Sequence, residues 1–365
     1  MRRQKSCLVE RSRDLNKNYN FKLTKSIPNI LLIYTGGTIG MIKDPETGAL
    51  RAFDFDNLLV RIPELKLLDC NIEAYSFKTP IDSSNMEPRD WVTIAEVIEN
   101  NYESFDGFVV LHGSDTMSYT ASALSFMLEH LAKPVVFTGS QLPIGDLRTD
   151  AKENLITSIQ VASLQHYGKP IIKEVCLYFE YKLYRANRTT KINAEHFEAF
   201  ASLNYPDLAE SGVHLKINNE ALFKPNARKS LVVHKNLDKN IALIKLFPGI
   251  SEQLLLSIFN TPNLKGVIIE TYGAGNCSTE DWFISLLKET IKKGIHIINI
   301  TQCSGGSVMM GQYETSEKLK KIGVISGKDI TTEAAVSKSM YLLGQNISPN
   351  LFKTIYETAL RGEMT

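Results

Sequence analysis

Continuously apolar runs alternate with helical patterns along most of the chain after residue 27. In the first half, five runs have the length and composition of strands that are buried on both faces. They are Asn29–Tyr34, Ile72–Phe77, Gly107–Leu111, Pro134–Thr138 and Val175–Phe179. Apolar residues at helical spacing predict a helix that begins near Pro88, and helices over Ala121–Leu131 and Asp150–Leu164. This alternation predicts an α/β fold whose larger N-terminal domain has a parallel-type sheet with helices on both faces.

The alternation resumes after a polar stretch at residues 218–240, which contains Pro225 and has the composition of a linker. The predicted strands and helices beyond it are Ile241–Phe247, Ser251–Phe259, Gly266–Thr271, Thr279–Lys293, Ile295–Ile300, Thr332–Leu343 and Asn350–Arg361. We therefore expect a flexible basic extension over residues 1–27, an N-terminal domain over 28–217, the linker, and a smaller C-terminal α/β domain over 241–365.

Composition and charge exclude several classes of protein. Hydrophobic residues make up 43% and charged residues 22% of the 365 residues, as in ordinary globular proteins. The net charge is +1, which argues against a nucleic-acid or membrane-surface protein, although residues 1–27 carry eight basic and two acidic side chains. The five cysteines are scattered without a C-x-x-C pair, and no apolar run is long enough for a membrane span. The basic N-terminus lacks the apolar stretch of a signal peptide, so we expect a cytoplasmic enzyme.

Small hydroxyl residues and glycines follow four of the predicted strands. Ligands of open parallel sheets bind beyond the carboxyl ends of the strands, where these segments would meet. The segments are Thr35–Gly40 (T-G-G-T-I-G), Asp82–Ser84 (D-S-S), His112–Thr116 (H-G-S-D-T) and Gly139–Gln141 (G-S-Q). Glycines allow the backbone to approach a ligand closely, and hydroxyl and N–H groups suit a small polar substrate.

Each of these residues also has an interpretation without chemistry. The Thr38 hydroxyl is a nucleophile only if a base takes its proton, and the turn around it is equally compatible with a tight turn or a phosphate cradle. No P-loop or G-x-G-x-x-G fingerprint follows a strand, which weakens the nucleotide alternative. His112 is more typical of a hydrogen-bonded structural histidine, and Lys191, in the segment Arg188–Lys191, of a solvated surface lysine. Asp115 is about equally compatible with a helix cap and with a chemical role. The seven histidines are scattered and no H-E-x-x-H occurs, so no metal site is expected.

Taken together, the motifs resemble those of the bacterial-type L-asparaginases, most closely the cytoplasmic type I branch. Two motifs carry the resemblance, the strand running into T-G-G-T-I and the strand running into H-G-S-D-T. Five shorter segments also match in order: D-S-S, T-G-S-Q-x-P (Thr138–Pro143), N-R-T-T-K (Asn187–Lys191), Y-G-x-G-N (Tyr272–Asn276) and T-Q-C (Thr301–Cys303). The resemblance covers the chain from about residue 28 to its end.

The resemblance implies an activity and a role for each matching residue. The activity is hydrolysis of L-asparagine to L-aspartate and ammonia through a threonine acyl-enzyme in the N-terminal domain, without cofactor or metal. Thr38 is implied as the nucleophile, Asp115 as the anion for the substrate α-ammonium, and Lys191 as the partner of Asp115 and of the second hydroxyl, Ser114. The implied substrate contacts are Ser83 for the α-carboxylate with Asp82 beside it, Ser140 for the side-chain amide, and Asn276 from a neighbouring subunit of a homodimer or homotetramer.

Three departures and three alternatives accompany the resemblance. Ser114 replaces the usual threonine, and Ala49 stands nearest the position of a tyrosine that usually partners the nucleophile. Glu270 stands where type I enzymes with an effector site carry an arginine. A glutaminase-asparaginase of mixed specificity differs by one methylene in its substrate. The corresponding subunit of an archaeal tRNA amidotransferase usually has a sizeable N-terminal domain, for which 27 polar residues are too few. A non-catalytic amino-acid binding protein would not need Thr38 together with Lys191.

Overall fold

The larger of two main sheets has eight strands, and its central strands are those that the sequence predicts. The computed structural model describes residues 27–43, 50–52, 62–226, 228–311 and 314–365. In chain order the strands of this sheet are β1 (Asn29–Tyr34), β2 (Asn71–Ser76), β3 (Gly107–Leu111), β4 (Val135–Thr138), β5 (Val175–Phe179), β6 (Lys182–Arg185), β7 (Ala209–Glu210) and β8 (Lys216–Ile217). Their order across the sheet is β8-β7-β6-β5-β4-β3-β1-β2.

Strands β1 to β5 are parallel, and β6, β7 and β8 extend the sheet in antiparallel fashion. The antiparallel edge was not predicted from the sequence, because its strands have two to four residues each. Alternate residues of β1 belong to two different cores, with Leu31 and Ile33 on one face and Ile30 and Leu32 on the other. The predicted α/β sheet with helices on both faces is therefore confirmed.

Within the described residues, this sheet is covered by three helices: α1 (Pro88–Asn101), α2 (Met117–Met127) and α3 (Ala151–Ala162). The prediction of Ala121–Leu131 for the second was wrong by about one turn at both ends, because the helix begins directly after the short 3-10 turn Ser114–Thr116. Its N-cap is Thr116, so the interpretation of Asp115 as the helix cap was also wrong.

A smaller parallel sheet follows, with four strands in the order β9 (Ile241–Lys245), β10 (Gly266–Thr271), β11 (His296–Thr301) and β12 (Ile325–Ser326). Its helices are α4 (Glu252–Phe259), α5 (Asp281–Lys292), α6 (Glu314–Ile322), α7 (Thr332–Gly344) and α8 (Pro349–Tyr356). Helix α6 was not predicted. Helix α8 ends five residues before the predicted Arg361, because the chain beyond it turns inward and packs against both sheets.

Helices α2 and α7 join the two halves of the molecule. The Ser337 hydroxyl donates to the Tyr119 carbonyl over 3.2 Å, and the Phe126 and Tyr341 rings stack with their centroids 6.0 Å apart. The predicted domain boundaries at 28–217, 218–240 and 241–365 stay a prediction, and residues 1–26 lie outside the described part of the chain. Among the described residues, no helix combines the length and apolarity that crossing a membrane requires.

The strand order locates a crevice at the carboxyl edge of the larger sheet. From β1 the chain passes to β2 on one side, then returns to β3 on the other. Loops that leave adjacent strands in opposite directions open a crevice, which is where doubly wound sheets bind ligands. The T-G-G-T and H-G-S-D turns, which follow β1 and β3, flank this crevice.

Candidate active site

The turn after β1 depends on two glycines. Gly36 and Gly37 have φ angles of +136° and +88°, which other residues rarely adopt. A Cβ on Gly36 would lie 2.1 Å from the Ile81 carbonyl oxygen, and one on Gly37 would lie 2.4 Å from the Gly113 nitrogen. The pair therefore lets the turn press against two neighbouring loops. Thr38 follows directly, half-buried at the start of a 3-10 turn, Thr38–Gly40.

The loops after β2 and β3 contact each other beside this turn and are joined by a hydrogen bond. A Cβ on Gly113 would lie 2.5 Å from the Ser83 Oγ, and the Thr116 hydroxyl donates to the Ser83 carbonyl over 2.7 Å. Thr38 and Ser114 each follow one of two glycines, Gly37 and Gly113, that touch. The structure therefore brings three predicted hydroxyl residues, Thr38, Ser83 and Ser114, to one place in the crevice.

Lys191 connects two of the predicted residues. Its Nζ donates to the Ser114 Oγ over 2.9 Å and to the Asp115 Oδ1 over 2.6 Å. The lysine side chain is only 15% exposed, whereas that of Asp115 is 64% exposed. The surface-lysine interpretation is therefore wrong. The exposed carboxylate is available to a cation that enters the crevice.

Gln141 is a site residue that the sequence did not single out. Its Oε1 accepts from the Ser114 hydroxyl over 3.3 Å, and its Nε2 donates to the carbonyls of Ala194 and His196 over 3.2 and 2.9 Å. Ser114 thus accepts a hydrogen bond from the Lys191 ammonium and donates one to Gln141. The T-G-S-Q segment was the available signal, but nothing local indicates which way the amide turns.

The other predicted site residues form the hydrogen bonds below with neighbours in their own loops. Ser140 is buried, and its hydroxyl donates to the Leu142 carbonyl over 2.6 Å, so only its oxygen lone pairs are open to a ligand. Asp82 is exposed and accepts from the Ser84 N–H over 2.9 Å. Asn276 lies in the second domain, where its backbone pairs with Tyr272. Ala49, where the sequence lacks the expected tyrosine, lies outside the described residues.

His112 behaves as a structural residue. Its ring is fully buried, and its Nδ1 lies 2.7 Å from the Gly113 carbonyl, to which a neutral ring donates. Burial lowers the pKa of His112 to about 4. A histidine that is neutral over the working range of pH and bonded to the backbone fits the structural interpretation of this residue.

This burial predicts a pH dependence of stability. The folded-state pKa of about 4 lies below the unfolded value near 6.5, so the unfolded chain binds the proton first. The contribution of neutral His112 is fully present above pH 6.5 and is lost as the pH falls toward 4, by about 3 kcal/mol at most. Urea unfolding at several pH values between 7 and 5 measures this effect. The free energy of unfolding should fall more steeply with falling pH in the wild type than in His112→Asn. An equal dependence on pH in the two proteins would contradict the assignment.

In the described ranges, no three His, Cys, Asp or Glu side chains are grouped so that they could hold a metal ion. The site consists instead of hydroxyls, one ammonium, one exposed carboxylate and an amide. This set can bind a zwitterion and carry a proton to and from a hydroxyl.

Comparison with known proteins gives the chain its relatives. The family model described as "Asparaginase, N-terminal" matches residues 29–223, and "Glutaminase/Asparaginase C-terminal domain" matches residues 240–356. L-asparaginase 1 of Escherichia coli K12 is 42% identical over 341 residues, covering 92% of this chain and 98% of the relative. The 60 kDa lysophospholipase of Mus musculus is 39% identical, but the match covers only 62% of that protein.

Solved structures agree. The crystal structure of L-asparaginase I from Vibrio cholerae superposes with a TM-score of 0.84 at 39% identity, covering 93% of this chain and 99% of that one. The resemblance found in the motifs and the predicted two-domain α/β architecture are thereby confirmed. The chain belongs to the asparaginase family.

Proposed function

We propose that this chain hydrolyses L-asparagine to L-aspartate and ammonia through an ester on Thr38. The observation that carries the proposal is the Lys191 ammonium, which joins Ser114 and Asp115 beside the T-G-G-T turn. The crevice therefore contains a hydroxyl nucleophile (Thr38), a proton carrier (Lys191) and an anion for an amino group (Asp115). No cofactor takes part in the proposed reaction.

Substrate binding follows from the charges of an amino acid. The exposed Asp115 carboxylate would accept the α-ammonium, and charge-assisted hydrogen bonds of this kind are the strong ones. The Ser83 hydroxyl, which faces Gly113, would donate to the α-carboxylate, with Asp82 beside it. Ser140, at the end of β4, would accept from the side-chain amide, which fits its one remaining capacity.

The reaction then proceeds in two balanced steps. The Thr38 oxygen bonds to the amide carbon while its proton passes through Ser114 toward Lys191, which must be neutral at that moment. The C–N bond breaks and the amine leaves as ammonia with that proton. A water molecule next attacks the ester, its proton returns to Thr38, and aspartate is released. Lys191 and Ser114 serve as acid–base partners in both steps.

Parallel assays of ammonia release with asparagine and glutamine test the proposal. A site that excludes one methylene discriminates by only about 10–200-fold, so we expect glutamine turnover lower by a factor in this range. Equal kcat/KM for the two amides would favour the mixed glutaminase-asparaginase alternative. Binding of asparagine without ammonia release would establish the non-catalytic alternative.

A lipid ester substrate, as the name of the murine relative suggests, has less support. The crevice groups described above are hydroxyls, a carboxylate and a lysine, whereas an acyl chain needs an extended apolar pocket. In addition, the chain spans only 62% of that relative.

Asp115→Ala should raise KM and lower kcat together. The variant loses the anion for the substrate ammonium and also leaves Lys191 with one partner fewer. Removing a charged partner from a hydrogen bond costs about 1.5–3 kcal/mol, so we expect KM to rise by roughly 10–100-fold. Asp281→Ala, an exposed aspartate at the start of α5, is the control and should leave both constants unchanged. A kcat change with unaltered KM would argue against the binding role.

We further propose a homodimer or homotetramer in which Asn276 reaches the site of a neighbouring subunit. Asn276 lies in the loop after β10 of the smaller sheet, whereas Thr38 and Ser114 follow strands of the larger one, and this placement supports a role across an interface. Light scattering of an active sample should give a multiple of the 40.9 kDa chain mass. An active monomer would contradict this arrangement. The expected cytoplasmic location stays a prediction.

A further inference from the structure

Arg188 is a fully buried cation that the proposed chemistry does not use. It lies in the N-R-T-T-K segment, three residues before Lys191, and its side chain is 1% exposed. Its NH1 donates to the Asp329 carboxylate over 2.6 Å, and its Nε donates to the Gly362 carbonyl over 2.8 Å. Asp329 follows β12 in the second domain and Gly362 lies near the C-terminus, so one side chain ties the lysine segment to two distant parts of the chain.

The C-terminal segment is built to receive this arginine. Gly362 has a φ of +75°, and a Cβ there would lie 2.4 Å from the NH1 of Arg185. The next residue, Glu363, forms an ion pair with Lys338 over 2.5 Å in which both side chains are completely buried. The Thr365 N–H donates to the second oxygen of Asp329 over 2.8 Å. The Gly362 carbonyl is therefore held in place from both sides.

The backbone between Arg188 and Lys191 transmits this placement. The Thr189 hydroxyl donates to the Arg185 carbonyl over 2.8 Å, and the Thr190–Lys191 strand pairs with Phe200–Ala201. Lys191 then has to reach the Ser114 and Asp115 oxygens over 2.9 and 2.6 Å. Lysine has a long flexible side chain, and a misplacement of about 1 Å in an active site can reduce the rate about 10²-fold.

We propose that Arg188, clamped between Asp329 and the Gly362 carbonyl, is a positioning residue that sets Lys191 for proton transfer. The C-terminal residues from Gly362 onward thus complete the active site of their own chain without touching substrate. The inference rests on the acid–base role proposed for Lys191.

Two mild substitutions test it, since removing the buried arginine outright could prevent folding. Arg188→Lys keeps the charge but cannot donate to Asp329 and Gly362 in the same fork geometry. Gly362→Ala displaces the carbonyl by the clash with Arg185. In each folded variant, we expect kcat for asparagine to fall about 10–100-fold while the Kd of L-aspartate changes less than about two-fold.

Two controls separate positioning from stability. Gly294→Ala imposes the same kind of backbone strain, at a φ of +86°, where no atom lies within 4 Å of a new Cβ. Phe283→Leu weakens the hydrophobic core beside the smaller sheet and should lower Tm about as much as the test variants. Both controls should keep the wild-type kcat and the wild-type Kd of L-aspartate.

The outcomes are distinct. Loss of Tm alone in Arg188→Lys and Gly362→Ala, with wild-type kcat, would show that the clamp is merely structural and would overturn the inference. Lys191→Ala is measured in the same series. If it retains activity, the proposed function fails first; if it is inactive while both clamp variants are fully active, only the inference fails.

Discussion

Thr38→Ala should abolish turnover of asparagine and leave the fold intact. Without a hydroxyl no ester can form, and loss of a nucleophile typically lowers kcat by about 10⁴-fold or more. Thr38 is half-buried at the start of a 3-10 turn whose shape is fixed by Gly36 and Gly37, so the free energy of unfolding should change by no more than about 1 kcal/mol. Ammonia release and urea unfolding measure the two effects.

Two further threonine substitutions serve as controls for this variant. Thr93→Ala, at an exposed position of α1, should keep full activity. Thr38→Ser keeps the nucleophilic oxygen and should retain measurable turnover. The affinity of Thr38→Ala for L-aspartate should stay near that of the wild type, since the proposed binding groups are untouched. A kcat of Thr38→Ala near the wild-type value would remove Thr38 from the mechanism.

The parts of the fold that are determined locally were predictable from the sequence. The bounds of β1, β3 and β5 match residue for residue, because each is an uninterrupted apolar run that ends at a turn. The glycine turns were expected to permit close approach. The structure adds that the near neighbours are other loops, the Ile81 and Gly113 backbones, which the sequence alone does not pair.

Features fixed by distant residues were not predictable. Helix α2 lacks a side-chain cap, because the hydroxyl of its N-cap, Thr116, is bonded to Ser83 in another loop. The apolar pattern of helix α8 continues past its true end at Tyr356, where the Lys338 ammonium donates to the carbonyls of Tyr356 and Thr358 over 2.6 and 2.8 Å.

The same limit applies to the candidate site. Lys191 is an ordinary lysine by composition, and only the fold shows that it pairs with Phe200 in a short strand and reaches Ser114 and Asp115. Gln141 and Arg188 lie inside recognised motifs, but the hydrogen-bond partners of their side chains are 27 or more residues away along the chain. Motif matching therefore identified which segments meet, while the direction of each side chain required the fold.

Lys191→Ala should lower kcat about 10²–10⁴-fold, the usual contribution of an acid–base group, with a smaller effect on the binding of L-aspartate. Lysine is suited to this role because its ammonium can lose a proton when its surroundings change. Arginine keeps its charge at every accessible pH, so Lys191→Arg should not restore activity although it can still donate to Asp115.

Lys182→Ala is the matched control, since this lysine also faces an aspartate, Asp207, at 3.6 Å, but is 49% exposed. It should behave like the wild type, because exposed ion pairs contribute little. The comparison tests whether burial and the Ser114 contact make Lys191 different from a lysine that only pairs with a carboxylate. If Lys191→Ala and Lys182→Ala both keep wild-type kcat, proton transfer must use another group, and Ser114 with Gln141 as its acceptor would be the next candidate.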